Sequence, residues 1–291
     1  MAVNAIADAQ LLSFRDILAR PSVPAPTHVI AYGTHADQVG ELWLPRASAT
    51  PHPVVVLIHG GCWRAELPGR ELVAFLAEAL REKGAAVWSI SYRRIGTKSE
   101  KFSPYPDTFL DVARGVDKLR DISAQYALDL TNVITTGHSA GGHLALWAAA
   151  RPRIAMTSPL FNASPLPIQA TIGIAALPDL AYARTASAAA CGADTVDLLI
   201  GLNTRRGAAF DDTSVTNLLP IGVATTLISG ALDRIAAPAH AKRYRESAAA
   251  LGEKVGIITH KNAGHFELIA PWTAAGEAVG DKIIAKLKVA K

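Results

Sequence analysis

The chain has 291 residues, of which 50% are hydrophobic and 19% charged, so it has enough apolar material for a large core and too little charge for a disordered chain. Its net charge is +4, but the basic residues are scattered along the sequence. Because a nucleic-acid-binding surface needs basic residues in one patch or stripe, the sequence argues against that class of protein.

Neither a membrane anchor nor a disulfide framework is predicted. No apolar run is long enough to cross a bilayer, and Met1–Gln10 lack the basic start and apolar core of a signal peptide. Cys62 and Cys191 are far apart and form no Cys-x-x-Cys pattern, which predicts neither a disulfide framework nor a zinc site. We therefore expect a cytoplasmic protein with no metal and no membrane partner.

Extended apolar runs alternate with helical patterns along the chain. Residues 1–27 are predicted as an N-terminal arm on the domain surface, because a short helical pattern is followed there by three prolines. Strands are predicted at 28–32, 39–44, 54–58, 85–92, 133–138, 170–176, 224–229 and 255–260, and helices at 67–83, 106–126, 139–150, 239–251 and 272–287. This alternation indicates an α/β fold with a mostly parallel sheet of eight strands, covered by helices on both faces.

The alternation is interrupted at 177–222, where alanine-rich pieces are broken by Gly, Pro, Asp and Asn without a strand pattern. Because this stretch falls between two late strands, we predict that it forms a small cap inserted above the edge of the sheet. The chain contains no internal repeat and no low-complexity linker. Residues 1–291 are therefore predicted to form a single domain.

The most informative motif is Gly137-His138-Ser139-Ala140-Gly141, which has the pattern Gly-x-Ser-x-Gly between a predicted strand and a predicted helix. Such a tight turn holds the serine in an unusual backbone conformation, and a Cβ two residues to either side would collide with the chain. The following helix directs its positive end at an anion that forms nearby. The pattern predicts Ser139 as a nucleophile.

A serine hydroxyl needs a base to activate it, and the base needs a partner to orient it. His265 follows the last predicted strand and lies beside a glycine. Of the nine histidines, it is therefore the one that we predict to be the base. Asp233 follows the preceding strand and is the predicted partner of His265. Asp179 also follows a strand and is the rival candidate for that role.

Donors for a developing oxyanion are predicted in two places. The strand at 54–58 opens into His59-Gly60-Gly61-Cys62-Trp63, where the amides of Gly61 and Cys62 can turn inward, and Ala140 follows the nucleophile. We assign Trp63 to the substrate pocket because it directly follows the predicted oxyanion donors Gly61 and Cys62. We assign His138 to the pocket because it directly precedes Ser139. An aromatic wall at Trp63 would favour compact or aryl groups.

Together, His59-Gly60-Gly61, the Gly137–Gly142 turn, Asp233 and His265 resemble the α/β-hydrolase superfamily. The branch is the one that contains hormone-sensitive-lipase-like esterases and arylformamidases (kynurenine formamidases). The chain departs from the esterases that have a third glycine, because Cys62 occupies that position. The resemblance implies an α/β-hydrolase fold, the triad Ser139, Asp233 and His265, oxyanion donors at Gly61, Cys62 and Ala140, and no cofactor.

We therefore expect a carboxylesterase-type serine hydrolase that cleaves small esters through an acyl-enzyme. The alternative in the same class is an arylformamidase that hydrolyses an amide of the N-formylkynurenine type. Two rivals remain: a non-catalytic ligand receptor on a hydrolase scaffold, and an acyltransferase that uses the same triad. The expected partner is a small-molecule ester or amide, and the sequence gives no indication of oligomeric state.

Overall fold

The computed structural model describes residues 11–22, 24–46, 51–98 and 102–287. These residues form one eight-stranded sheet, with strands β1 (His28–Ala31), β2 (Val39–Trp43), β3 (His52–Ile58), β4 (Ala86–Ile90), β5 (Leu128–His138), β6 (Ala170–Ile174), β7 (Ala224–Gly230) and β8 (Val255–His260). The strand order is β1-β2-β4-β3-β5-β6-β7-β8. The β1–β2 and β2–β4 pairs are antiparallel, and the other five pairs are parallel.

The α-helices of the described residues are α1 (Phe14–Leu18), α2 (Ala74–Glu82), α3 (Pro104–Asp117), α4 (Leu119–Ile122), α5 (Ala140–Ala150), α6 (Leu180–Ala186), α7 (Ala188–Cys191), α8 (Thr195–Ile200), α9 (Leu202–Arg205), α10 (Ala239–Ala250) and α11 (Ala274–Ile284). Short 3-10 helices lie at Arg70–Val73, Arg151–Arg153, Arg206–Phe210, Val215–Leu218 and Glu267–Ile269. The predicted mostly parallel α/β sheet of eight strands is confirmed.

Strand β3, at the centre of the sheet, is apolar and buried on both faces. Every residue of β3 is buried, and its Val54–Ile58 run is fully inaccessible to solvent between β4 and β5. A strand with helices on both sides has no polar face, so it reads as a continuous apolar run. That property made β3 recognisable from the sequence.

Helix α5 crosses the middle of the sheet and packs against β3, β5 and β6. All eleven of its residues are buried, as its nearly uniform small and apolar sequence predicts. A Cβ on Gly142 would lie 2.8 Å from the Cβ of Ala176, so glycine permits the close approach of helix and sheet at that point. This packing fixes the first turn of α5, which follows Ser139.

The parallel strands end at one edge of the sheet, and the loops that follow β3, β5, β6, β7 and β8 emerge there. The residues between β6 and β7 form α6 to α9 and two 3-10 helices, and the stretch 177–222 contains no strand. Of the predicted N-terminal arm at 1–27, residues 1–10 and 23 lie outside the described residues. The rest is not confined to the surface, because Ile17 is fully buried.

No helix in the described ranges is both long and apolar enough to span a lipid bilayer.

Candidate active site

The turn between β5 and α5 has the geometry of a strained nucleophile position. Ser139 adopts φ of 56° and ψ of −121°, a left-handed conformation that is costly for a residue with a side chain. A Cβ on Gly137 would lie 2.2 Å from the carbonyl oxygen of Gly141, and one on Gly141 would lie 2.1 Å from that of Ile58. Only glycine fits at these two positions, which is the physical reason for the Gly-x-Ser-x-Gly spacing.

His265 and Asp233 form a buried hydrogen-bonded pair at the same edge of the sheet. His265 Nδ1 donates to Asp233 Oδ2 at 2.7 Å, while Asp233 Oδ1 accepts from the amides of Ile235 at 2.7 Å and Ala236 at 2.9 Å. Burial alone would raise the pKa of Asp233, but the hydrogen bond and charge of His265 and the two amides together hold it below its usual value. The carboxylate therefore stays ionised and fixes the tautomer of His265.

Asp179, the rival partner, is engaged elsewhere. It is the N-cap of α6, where its side chain accepts from the amide of Tyr182 at 3.0 Å. Its other oxygen lies 3.7 Å from the guanidinium of Arg243. The structure thus brings His265 to Asp233 and leaves Asp179 as a helix cap.

Ser139 and His265 line one cavity of about 320 Å³. Its apolar walls are formed by Phe14, Leu67, Pro68, Leu72, Ile235 and Phe266. Among the described residues, the Ser139 hydroxyl donates no hydrogen bond to the His265 ring; such bonds are commonly long without a ligand and tighten when substrate binds. The arrangement can support nucleophilic attack by Ser139 on a group held in this cavity.

The loop after β3 adopts an unusual backbone conformation. Three consecutive residues, Gly61, Cys62 and Trp63, have positive φ values of 98°, 48° and 55°. Arg94 stabilises the loop: its guanidinium donates hydrogen bonds to the carbonyl oxygen of Leu67 at 2.8 Å and to that of Arg64 at 3.1 Å. Backbone strain of this kind persists only where the surroundings impose it, and it clusters at functional sites.

The three amides predicted as oxyanion donors are free to act in that way. Within the described ranges, the N–H groups of Gly61, Cys62 and Ala140 donate no hydrogen bond to a backbone or side-chain oxygen. Gly61 and Cys62 line the cavity beside Ser139, and Ala140 is the first residue of α5. Unpaired amides beside a nucleophile are the group that stabilises an oxyanion.

Trp63, predicted to line the substrate pocket, does not line the cavity. It is only 1% exposed and packs its ring edge-on against His143 with a centroid distance of 5.5 Å. The left-handed conformation of Cys62 and Trp63 reverses the chain direction expected for an extended loop, so the indole enters the core. Phe266 and Phe14 are the aromatic side chains that line the cavity.

His138, the other residue assigned to the pocket, lines the cavity and contacts the His265 loop. Its Nε2 donates to the carbonyl oxygen of His265 at 3.0 Å, and the two rings lie 4.4 Å apart. Burial, together with the neighbouring His265, lowers the pKa of His138 to about 3. His138 is therefore a neutral imidazole with its proton on Nε2, and it supports the loop that carries His265.

The two cysteines form a disulfide, so the prediction that the sequence has no disulfide framework is wrong. Cys62, in the loop after β3, is bonded to Cys191 at the end of α7, across a sequence separation of 129 residues. Arg64 reinforces this link by donating to the Cys191 carbonyl at 3.1 Å and to the Thr195 hydroxyl at 2.7 Å. The pairing joins the loop after β3 to the segment between β6 and β7.

Breaking this disulfide is expected to lower the free energy of unfolding by on the order of 4 kcal/mol, because the bond closes a long loop in the unfolded chain. Urea unfolding with and without dithiothreitol measures the change. The Cys191→Ser variant is the control, since its midpoint should match the reduced wild type and should not respond to reductant. An unchanged midpoint on reduction of the wild type would contradict the expectation.

A second cavity lies away from the residues of this site. A larger cleft of about 470 Å³ lies between α2 and α11, with Phe75 and Trp272 in its walls, and it contains none of Ser139, Asp233 and His265. Among the described residues, no group of three or more His, Cys, Asp or Glu side chains could hold a metal ion.

The fold and this site define the protein's class as an α/β-hydrolase of the esterase/lipase type. Residues 41–246, which make up well over half of the chain, match the BD-FAE family model. The chain belongs to the BD-FAE family.

Two proteins with similar sequences are also named as hydrolases. The chain is 29% identical over 116 residues to kynurenine formamidase of Danio rerio, and 30% identical over 121 residues to a probable isoprenylcysteine alpha-carbonyl methylesterase of Oryza sativa subsp. japonica. These alignments cover 40% and 41% of this chain but only 36% and 27% of the two relatives.

The fold is also similar to that of a solved esterase. Esterase B from Lactobacillus rhamnosis aligns with a TM-score of 0.77 and 19% identity, over 94% of this chain and 90% of the esterase.

Proposed function

We propose that this protein is a serine hydrolase that cleaves small, uncharged carboxylic esters through an acyl-enzyme. The observation that carries the proposal is the 2.7 Å hydrogen bond between Asp233 and His265, because it orients the imidazole at the cavity that Ser139 also lines. A buried carboxylate paired with a histidine beside a strained serine is the arrangement that nucleophilic acyl transfer requires.

In the proposed reaction, Ser139 Oγ attacks the ester carbonyl while His265 Nε2 takes the hydroxyl proton. The negative charge that develops on the carbonyl oxygen accepts hydrogen bonds from the amides of Gly61, Cys62 and Ala140. His265 then gives its proton to the departing alcohol, which leaves the acyl group on Ser139. Water, deprotonated by His265, attacks the acyl-enzyme. His265 then returns this proton to Ser139 Oγ as the second intermediate collapses, which releases the acid and restores the serine.

The proposed preference for uncharged substrates rests on the walls of the cavity. The side chains that line it among the described residues include no Asp, Glu, Lys or Arg, and most of the lining is aliphatic or aromatic. Burying a charged group without a partner costs much more than burying an apolar one. A compact ester with a short acyl chain and an aryl leaving group fits this environment.

The alternative is an arylformamidase, and the similarity to kynurenine formamidase favours it. N-formylkynurenine carries an ammonium and a carboxylate besides its formamide. The described lining of the cavity offers no opposite charge to either group, which is why we place ester hydrolysis first.

A substrate panel tests the proposal. We expect the highest kcat/KM with p-nitrophenyl acetate or butyrate, a decline towards the octanoate and palmitate, and a value at least ~10-fold lower with N-formylkynurenine, as an unpaired buried charge costs more than 1.4 kcal/mol. Higher kcat/KM with N-formylkynurenine would favour the arylformamidase.

The remaining rivals give different results in the same panel. A maximum at the octanoate or beyond would contradict the small-substrate proposal. A receptor would bind ligands without turnover, and an acyltransferase would transfer the acyl group to an added alcohol faster than to water.

We also propose that residues 1–291 act as one domain, with 1–27 as its arm and 177–222 as its cap. The cytoplasmic location predicted from the sequence relied in part on the absence of a disulfide. The bond between Cys62 and Cys191 removes that support, because disulfides persist mainly in oxidising compartments. We propose that the protein works where this bond stays oxidised.

A further inference from the structure

We propose that the N-terminal segment from Leu11 to Arg20 is a wall of the substrate cavity, and that Phe14 sets the size of the group that the cavity accepts. This inference rests on the proposed hydrolase function and goes beyond it by naming a residue that selects among substrates. The sequence placed this segment in a surface arm. In the structure, the Phe14 side chain lines the same cavity as Ser139.

The Phe14 ring shares its wall with the loop that carries the histidine. It meets the ring of Phe266, which directly follows His265, at a centroid distance of 6.2 Å and an interplanar angle of 62°. Edge-to-face aromatic pairs of this kind add stability beyond the burial of their surface. Helix α1, which begins at Phe14, also packs against the 3-10 helix Arg70–Val73, whose Leu72 lines the cavity.

The side chain of Glu267 links the N-terminal segment to the loop that carries His265. Glu267 accepts a short hydrogen bond from the Leu12 amide through Oε1 and a 2.9 Å bond from the Gly264 amide through Oε2. Glu267 is only 8% exposed, and hydrogen bonds to an ionised acceptor are stronger than those between neutral groups. Glu267 therefore holds the segment before Phe14 and the residue before His265 in one fixed arrangement.

The other end of the segment is fixed as well. Ile17 is fully buried in the core, and the Arg20 guanidinium lies 3.9 Å from the centroid of the Trp272 ring, within the range of a cation–π contact. Phe14 is thus held from both sides. A wall held in this way limits the size of a bound group sterically.

The proposal predicts opposite shifts for smaller and larger side chains at this position. Phe14→Ala enlarges the cavity, and each further methylene buried there is worth roughly four-fold in binding. We therefore expect the ratio of kcat/KM for p-nitrophenyl octanoate to that for the acetate to rise by at least ~10-fold in Phe14→Ala. Phe14→Trp should lower the same ratio, and it keeps the test informative if the alanine variant folds poorly.

Leu18→Ala is the matched control. Leu18 lies on the same short helix but is 39% exposed and does not line the cavity, so its replacement should leave the ratio unchanged. Equal ratios for the wild type, Phe14→Ala and Phe14→Trp would overturn the proposal, as would a shift of the same size in Leu18→Ala.

A binding measurement separates this proposal from the esterase function. Methyl ketones of increasing chain length, titrated into the Ser139→Ala background, report on the cavity without chemistry. With Phe14→Ala added, longer ketones should gain affinity relative to butanone by at least ~10-fold. If the wild type hydrolyses no ester but the ketones show this shift, the proposed esterase function is wrong and the proposed role of Phe14 is supported. If esters are hydrolysed and neither the kcat/KM ratio nor the ketone affinity shifts, the proposed role of Phe14 is wrong.

Discussion

Replacing Ser139 with alanine is expected to lower kcat for p-nitrophenyl butyrate by at least ~10³-fold, because the proposed acyl-enzyme can no longer form. The strained φ of 56° at Ser139 holds the hydroxyl at the cavity, and alanine keeps the backbone while it removes the nucleophile. Labelling by a fluorophosphonate probe, which reacts with the activated hydroxyl, should disappear in the same variant. Both the rate and the labelling are measured on protein whose circular dichroism matches the wild type.

Ser89→Ala is the control for this experiment. Ser89 is a fully buried serine of β4, and its hydroxyl has no hydrogen-bond partner among the described residues. Its replacement should leave labelling and kcat close to the wild-type values. If Ser139→Ala still labels and turns over normally, the assignment of the nucleophile is wrong, and with it the proposed reaction.

The elements that the sequence predicted well are those whose pattern lies within one short stretch of the sequence. β3 was recognisable because a strand buried on both faces carries an unbroken apolar run from Val54 to Ile58. The Gly-x-Ser-x-Gly turn was recognisable because Gly137 and Gly141 have no room for a Cβ. A Cβ is excluded at Gly141 by the carbonyl oxygen of the distant Ile58, but the pattern can be recognised without knowing that contact.

The features that the sequence did not predict depend on contacts between distant parts of the chain. Cys62 and Cys191 are neighbours only because the residues between β6 and β7 meet the loop that follows β3, and no local spacing encodes that contact. Trp63 was assigned to the pocket on its position in the sequence, but three successive left-handed residues turn its ring into the core. Phe14 reaches the cavity because Glu267 and Arg20 fasten its segment to residues near the other end of the chain.

The partner of His265 was predicted only in part, because its position depends both on local pattern and on contacts between distant residues. Chain order and strand ends reduced the candidates to Asp233 and Asp179, since both follow strands of the same sheet. The sequence predicted Asp233 and kept Asp179 as the rival, because the final choice depends on which loop approaches the His265 ring from behind. The structure shows that Asp233 makes that contact at 2.7 Å while Asp179 caps α6.

Asp233→Asn is the second change with a large expected effect. The carboxylate accepts the Nδ1 proton of His265, so the lone pair of Nε2 is free to take the proton of Ser139. An asparagine can present its NH2 group to Nδ1 instead, which favours the tautomer with the proton on Nε2 and removes the base. We expect kcat to fall by roughly 10³- to 10⁴-fold in p-nitrophenyl ester hydrolysis, as wrong-tautomer variants of such triads do.

The fold should survive this substitution, because the asparagine carbonyl oxygen can still accept from the amides of Ile235 and Ala236. Asp179→Asn is the matched control: it makes the same chemical change in a carboxylate that also follows a strand. Asparagine caps helices about as well as aspartate, and the Arg243 side chain that faces Asp179 is half exposed, so kcat should change by less than ~3-fold. A larger loss in Asp179→Asn than in Asp233→Asn would move the orienting role to the loop after β6 and contradict the proposed triad.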